Sequence, residues 1–162
     1  MPPANKVAQT PAAAEQQLKR FIAKFEPKAQ ALIRAVRQAL RRRFPTADEL
    51  VYDNYNFFVI GYGPGERPSD AIVSIAAGAS GVGLCFIHGA RLKDPRKILR
   101  GSGNQTRFLR LASAEVLSQP EVVALLAAAE TQTKTPLRGS GRGKLIIRSV
   151  SAKQRPRRKA AK

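Results

Sequence analysis

The sequence predicts an α+β two-layer sandwich: an antiparallel sheet of about five strands with N-terminal and C-terminal helices on one face. Two observations predict it. Apolar residues recur at helical spacing near both ends of the chain, and short runs rich in β-branched and aromatic residues fill the middle. With 162 residues, 43% of them hydrophobic, the chain has material for one core of ordinary size. We therefore expect a single domain with terminal extensions.

The helices are predicted from a spacing of three and four residues between large apolar side chains. A first helix over about residues 14–25 would bury Leu18, Phe21, Ile22 and Phe25. Pro27 suits the first turn of a second helix, which continues to about Arg43 and has a basic outer face. A closing helix over about residues 122–130 follows Pro120.

The strands are predicted between turn residues in the middle of the chain. Residues 50–55, 57–62, 71–76 and 82–88 are rich in β-branched and aromatic residues, and residues 107–111 alternate as a fifth strand. Between the fourth and fifth strands, Asp94 and Pro95 predict the start of a short helix ending at Gly101.

Composition and charge together predict four segments in the chain. Lys and Arg total 29 against 11 acids, for a net charge of +18, and the segment from Thr131 to Lys162 holds eleven of the basic residues and no acid. We expect a disordered lead-in over residues 1–14 and the α+β domain over 15–130. A basic linker over 131–150 would include an extra strand at 144–150, pairing with a sheet edge or with a partner, and 151–162 would be a disordered basic tail.

The composition excludes several classes of protein. The single cysteine, Cys85, cannot form an intramolecular disulfide, and with the single histidine, His88, it cannot supply a usual structural zinc site. No apolar run approaches the ~20 residues of a membrane span, and no export signal is evident, so we expect a cytoplasmic protein without membrane partners. No nucleophile and base stand at a spacing that predicts catalysis.

Two groups of basic residues are candidates for binding anions. The segment 89–107 combines a glycine turn with guanidinium and ammonium groups that could hold a small anionic ligand. Its candidates are Arg91, Lys93, Arg96, Lys97, Arg100 and Arg107. The alternative is that Asp94 caps a helix whose basic residues form a solvated face.

The second group would contact nucleic acid or another polyanion without sequence specificity, through salt-sensitive contacts to the backbone. It lies on the second helix and in the tail. Its members are Arg34, Arg37, Arg41, Lys153, Arg155, Arg157, Arg158, Lys159 and Lys162. No aromatic residue is interleaved with these tail residues, so base stacking is not expected. The alternative is a tail that only keeps the protein soluble.

Several positions together resemble the YdhG-like family, which is placed with the frataxin-like group of folds. The resemblance covers roughly residues 18–130 and rests on the helical opening, on the closing helix after Pro120, and on scattered polar and glycine positions. These positions are Tyr52, Tyr55, Asn56, Gly89, Leu92, Asp94, Pro95, Gly101, Gly103 and Arg107.

The resemblance implies a frataxin-like fold without an established reaction, and one branch of the family is proposed to act as an iron chaperone. Hard cations need several oxygen ligands close together. The second helix has no carboxylate, which leaves Asp48, Glu49 and Asp53 as the weak metal alternative. We therefore expect a non-enzymatic binding protein without a cofactor, whose basic tail contacts nucleic acid or another polyanion. Intracellular binding or delivery of iron or a small ligand is the alternative.

Overall fold

A computed structural model describes residues 9–160 of the chain. Helix α1 spans Pro11–Ala23 and helix α2 spans Pro27–Arg43. The first helix begins earlier than the sequence predicts, because the hydroxyl of Thr10 accepts a hydrogen bond from the backbone N–H of Ala13 and caps it. Helix α3 spans Pro120–Thr131. Within residues 9–160, no helix is both long enough and apolar enough to cross a bilayer.

The sheet has six strands, not about five, and it is mixed rather than purely antiparallel. The strands are β1 Asp48–Asp53, β2 Phe58–Gly63, β3 Val73–Gly78, β4 Gly81–Phe86, β5 Arg107–Leu111 and β6 Leu145–Val150. Their order is β5-β4-β3-β2-β1-β6. The first five form an antiparallel meander, and β6 pairs in parallel with β1. The extra strand predicted at residues 144–150 is therefore present, and it pairs with a sheet edge of its own chain.

The helices pack on one face of this sheet and enclose the core. Alternate strand residues such as Ile60, Ile75 and Leu84 point to that face, because the side chains of a strand alternate between its two sides. They join the apolar stripes of all three helices in one cluster of buried residues. The hydrophobic spacing of the sequence thus predicts the layered architecture correctly.

The short helix predicted between Asp94 and Gly101 does not form. The carboxylate of Asp94 accepts hydrogen bonds from the backbone N–H groups of Ile98 and Leu99, at 3.0 and 2.9 Å. Lys97 has a φ of 54°, which is left-handed and incompatible with continuing a helix. Asp94 therefore stabilises a compact loop, and the backbone groups that a helix would have used bond to its side chain instead.

Candidate functional site

The turn between β1 and β2 places two aromatic rings at the surface. Strand β1 ends at Asp53 and β2 begins at Phe58, and the N–H of Asn54 donates to the carbonyl of Phe57 at 3.0 Å to close the turn. Tyr55 and Phe57 remain 49% and 52% exposed. Large aromatic side chains stabilise a fold mainly when they are buried. Two of them exposed on one turn therefore indicate a surface that contacts a partner.

The segment that follows β6 runs alongside this turn. The N–H of Ser151 donates to the carbonyl of Asp53 at 2.9 Å, and the N–H of Arg155 donates to the carbonyl of Tyr55 at 2.8 Å. The side-chain amide of Gln154 adds a third contact, donating to the carbonyl of Asp53 at 2.7 Å. The sequence predicts disorder from residue 151 onward, whereas residues 151–160 adopt a fixed path without helix or strand. Residues 161 and 162, and with them the candidate Lys162, lie outside the described part.

A buried ion cluster holds the segment in place. The carboxylate of Asp53 accepts from the Lys24 ammonium at 2.8 Å and from the Arg157 guanidinium at 2.9 Å. Asp53 is fully buried and the Arg157 side chain is 2% exposed. The same Arg157 nitrogen also donates to the carbonyl of Asn54 at 2.6 Å. Arg157, predicted from sequence to contact a polyanion, therefore anchors the tail instead, because a buried carboxylate needs a positive partner.

The other tail cations that the structure describes stay at the surface. The guanidinium carbon of Arg155 lies 5.7 Å from the centre of the Tyr55 ring, within the range of a cation–π contact. The Nε of Arg158 donates to the carbonyl of Lys24, the C-cap residue of α1, at 3.2 Å. Lys153 and Lys159 are exposed. We call this set the turn–tail surface: the exposed cations Lys153, Arg155, Arg158 and Lys159, with the rings of Tyr55 and Phe57.

The three candidates on α2 separate into one structural residue and two exposed ones. Arg37 reaches inward and pairs with Glu49 at 2.9 Å and with Glu15 at 2.6 Å. Burial works to lower the pKa of Arg37, but the hydrogen bonds to Glu49 and Glu15 outweigh it and hold that pKa above its ordinary value. Arg34 and Arg41 stay exposed, on the helix surface. Two of the three α2 candidates thus lie at the surface, where Arg41 also pairs with Glu49 at 3.7 Å.

The acids proposed as a metal alternative do not converge. Each is engaged separately: Asp48 with Arg138 at 3.1 Å, Glu49 with Arg37, and Asp53 with Lys24 and Arg157. Asp48 and Glu49 also point to opposite faces of the sheet, since they are neighbours on β1. Across residues 9–160, no group of three or more His, Cys, Asp or Glu side chains is arranged to hold a metal ion.

The six candidates of segment 89–107 do not meet at one point. A cavity of about 220 Å³ is lined by His88, Arg91, Asn104 and Gln105, and of the six candidates it includes Arg91. Lys93, Arg96, Lys97 and Arg100 are exposed on the surrounding loop. Arg107 is half-buried and donates to the carbonyls of Gly103 and Thr106. Most of these basic residues are therefore solvated, as in the alternative interpretation, but they lie on a loop organised by Asp94 and not on the helix that this interpretation expected.

A larger cavity of about 480 Å³ lies between the C-terminal ends of α2 and α3 and the segment that follows α3. Its charged lining is already paired, with Arg43 bound to Glu130 at 2.9 Å and Arg138 bound to Asp48. The sequence did not predict it, because the segment after Thr131 has no periodicity that would place it there. Because these charged side chains are already neutralised by one another, they are poorly suited to bind a charged ligand.

No family model, curated protein or solved structure matches this chain. The resemblance to the YdhG-like family therefore stays a prediction. The turn–tail surface is defined by its contacts alone.

Proposed function

We propose that this protein is a non-enzymatic binding protein that contacts nucleic acid or another polyanion without sequence specificity. The observation that supports this most directly is the docked tail. Arg157 is buried at the anchor on Asp53, and four further cations in the described part of the tail, Lys153, Arg155, Arg158 and Lys159, are exposed on the segment that docks beside the turn. A cationic surface of this kind gains affinity by releasing the counterions of a polyanion.

Order in the tail strengthens the proposal. A disordered cationic tail loses conformational freedom when it condenses on a partner, and that loss weakens binding. Here, five backbone and side-chain hydrogen bonds already fix residues 151–157 against the turn and Asp53. The exposed cations therefore need less ordering when they bind, and Arg34 and Arg41 on α2 add further positive charge.

The test is a titration of a short DNA duplex by fluorescence anisotropy at about 50 and 200 mM salt. A tail variant replaces Lys153, Arg155, Arg158 and Lys159 with Gln. A control variant replaces the exposed residues Lys93, Arg96, Lys97 and Arg100 with Gln, and so removes the same charge from another surface. Each phosphate contact contributes about −0.9 to the slope of log K against log salt, so the tail variant should lose roughly 3 to 4 units of slope.

The control variant should keep most of its affinity and slope. Equal losses in the two variants would mean that net charge alone drives binding, and the turn–tail surface would then have no special role. A wild-type protein that shows no salt-dependent binding at the lower salt would contradict the proposed function itself.

We also infer that the domain is YdhG-like with a frataxin-like fold. The support is the arrangement of two N-terminal helices, an antiparallel meander and a closing helix on one face, together with a contact between two of the motif positions. A Cβ atom on Gly89 would lie 2.6 Å from the Cβ of Arg107, so only glycine allows this approach. Iron delivery has no such support, because Asp48, Glu49 and Asp53 are each held in separate ion pairs.

A further inference from the structure

From the turn–tail surface we infer a preference for single-stranded nucleic acid, whose unpaired bases stack on Tyr55 and Phe57 while the tail cations hold the phosphates. This rests on the proposed function and narrows its partner to one class. The first observation is a concentration of apolar surface. Among residues 9–160, the exposed large hydrophobic residues are Tyr55, Phe57, Phe108, Val123 and Val150. Three of these five lie at one end of the sheet, since Val150 pairs with Asp53 beside the turn.

The turn presents both rings in defined surroundings. The ring of Phe57 packs against Gly78, where an added Cβ atom would lie 3.3 Å from a ring carbon. The backbone of Tyr55 is held by the hydrogen bond from the N–H of Arg155 to its carbonyl, and the guanidinium of Arg155 lies 5.7 Å from the centre of the Tyr55 ring. The packed Phe57 ring loses little conformational entropy on binding, and each aromatic residue still exposes about half of its surface.

The charge around the rings matches the same occupant. Arg155 and Arg158 lie on either side of the anchor residue Arg157, so the tail brings two guanidinium groups to the region of the turn. The carboxylate of Asp53, which precedes the turn, is fully buried and already paired. A polymer with flat apolar groups and a repeating negative charge satisfies both features at once. Single-stranded nucleic acid has both, and its recognition by stacking tolerates any base.

Single strands differ from duplexes and other polyanions in one property: their bases are free to stack on a protein ring. In a duplex the bases are stacked on each other and cannot reach a protein ring, and heparin has no bases at all. Stacking of a base on an aromatic side chain is lost on substitution by alanine, and the loss corresponds to roughly a 5- to 150-fold change in affinity per base. The rings should therefore matter for single strands only.

The experiment compares three kinds of labelled ligand by anisotropy: a mixed-sequence single strand of about twelve nucleotides, made both as DNA and as RNA, its duplex, and heparin. The double variant Tyr55→Ala with Phe57→Ala is compared with Phe108→Ala, which removes an exposed ring from β5 at the other edge of the sheet. We expect the double variant to lose at least tenfold in affinity for both single strands and less than twofold for duplex and heparin. Phe108→Ala should change none of the three.

A second measurement does not depend on a disruptive variant. The chain contains no tryptophan, so Tyr55→Trp introduces a single fluorescent reporter at the turn. Single strands should quench it by stacking, and heparin at saturation should not. Loss of affinity for all ligands alike in the double variant, or equal quenching by heparin, would overturn the preference for single strands while leaving polyanion binding intact. If the wild-type protein bound neither single strands nor duplex nor heparin, the proposed function itself would be contradicted.

Discussion

Substitution of Asp53 by Asn should release the tail without unfolding the domain. Asp53 accepts from Lys24 and from Arg157, and both partners can only donate hydrogen bonds. The amide of Asn keeps the shape of the carboxylate but must turn its NH₂ group toward one of these donors, and it carries no charge. The buried side chain of Arg157 then has no counter-ion.

The magnitude follows from the burial of the two partners. The Lys24 side chain is 42% exposed, so its ion pair contributes at most about 1 kcal/mol. The pair between Asp53 and Arg157 is buried on both sides, and removing one partner of such a pair costs about 3–5 kcal/mol. When residues 151–160 detach from the domain, Arg157 becomes solvated and the cost of its unpaired charge is relieved. That free energy therefore shifts the equilibrium of these residues toward the undocked state. The undocked fraction should rise about 150- to 4,000-fold, up to complete release.

Limited trypsin digestion measures the undocked fraction, because cleavage follows the open population when opening is fast. In the Asp53→Asn variant, cleavage after Lys153, Arg158 and Lys159 should accelerate by that factor, while the thermal midpoint of the domain falls much less. The control is Glu115→Gln, which makes the same charge change at an exposed residue. Equal cleavage rates in wild type and Asp53→Asn would refute the idea that this carboxylate anchors the tail.

Two further predictions concern the elements around the site. Gly143→Ala should destabilise by at least about 3 kcal/mol in urea unfolding, because the added Cβ atom would clash with the backbone carbonyl oxygen of Ala47. Gly139→Ala, with nothing within 4 Å of the added atom, should change stability by under about 1 kcal/mol. The hydrogen bond from Arg37 lowers the pKa of Glu15 below its ordinary value. The ionised Glu15 therefore stabilises the fold fully at pH values above its ordinary pKa, and this stabilisation is lost as the pH falls through the lowered pKa. Glu15→Gln should therefore be less stable than wild type at about pH 7, and the difference should vanish at about pH 2.

The fold class could be predicted because it depends on spacing within short stretches of sequence. Leu18, Phe21 and Ile22 are all buried on one side of α1, as their spacing of three and four residues indicates. The strand at residues 145–150 was predicted from its apolar content. Its pairing in parallel with β1 was not, since pairing depends on contacts between segments almost 100 residues apart. The local loop at Asp94 was missed because the same residue caps a helix or organises a turn equally well.

The site could not be predicted from the tail alone. No aromatic residue lies near Arg155 in sequence, and base stacking was excluded on that ground. The ring that contacts Arg155 belongs to Tyr55, a hundred positions earlier in the chain. A search for aromatic and basic residues interleaved in one segment finds only sites made from contiguous sequence. The sequence prediction placed Tyr55 and Phe57 in two successive strands, so their position in one exposed turn emerged only from the structure.

Arg155, Arg157 and Arg158 show why a count of positive charge overstates a binding surface. All three have the same side chain within four positions, yet Arg157 is buried against Asp53 and the other two lie at the surface. The difference comes from the domain, which presents one buried carboxylate at the end of β1 and can neutralise one guanidinium there. Removal of that carboxylate should free Arg157 to contact a partner and loosen the residues on either side of it. Burial of Arg157 against Asp53 therefore removes one cation from the surface, and it fixes the positions of Arg155 and Arg158 beside it.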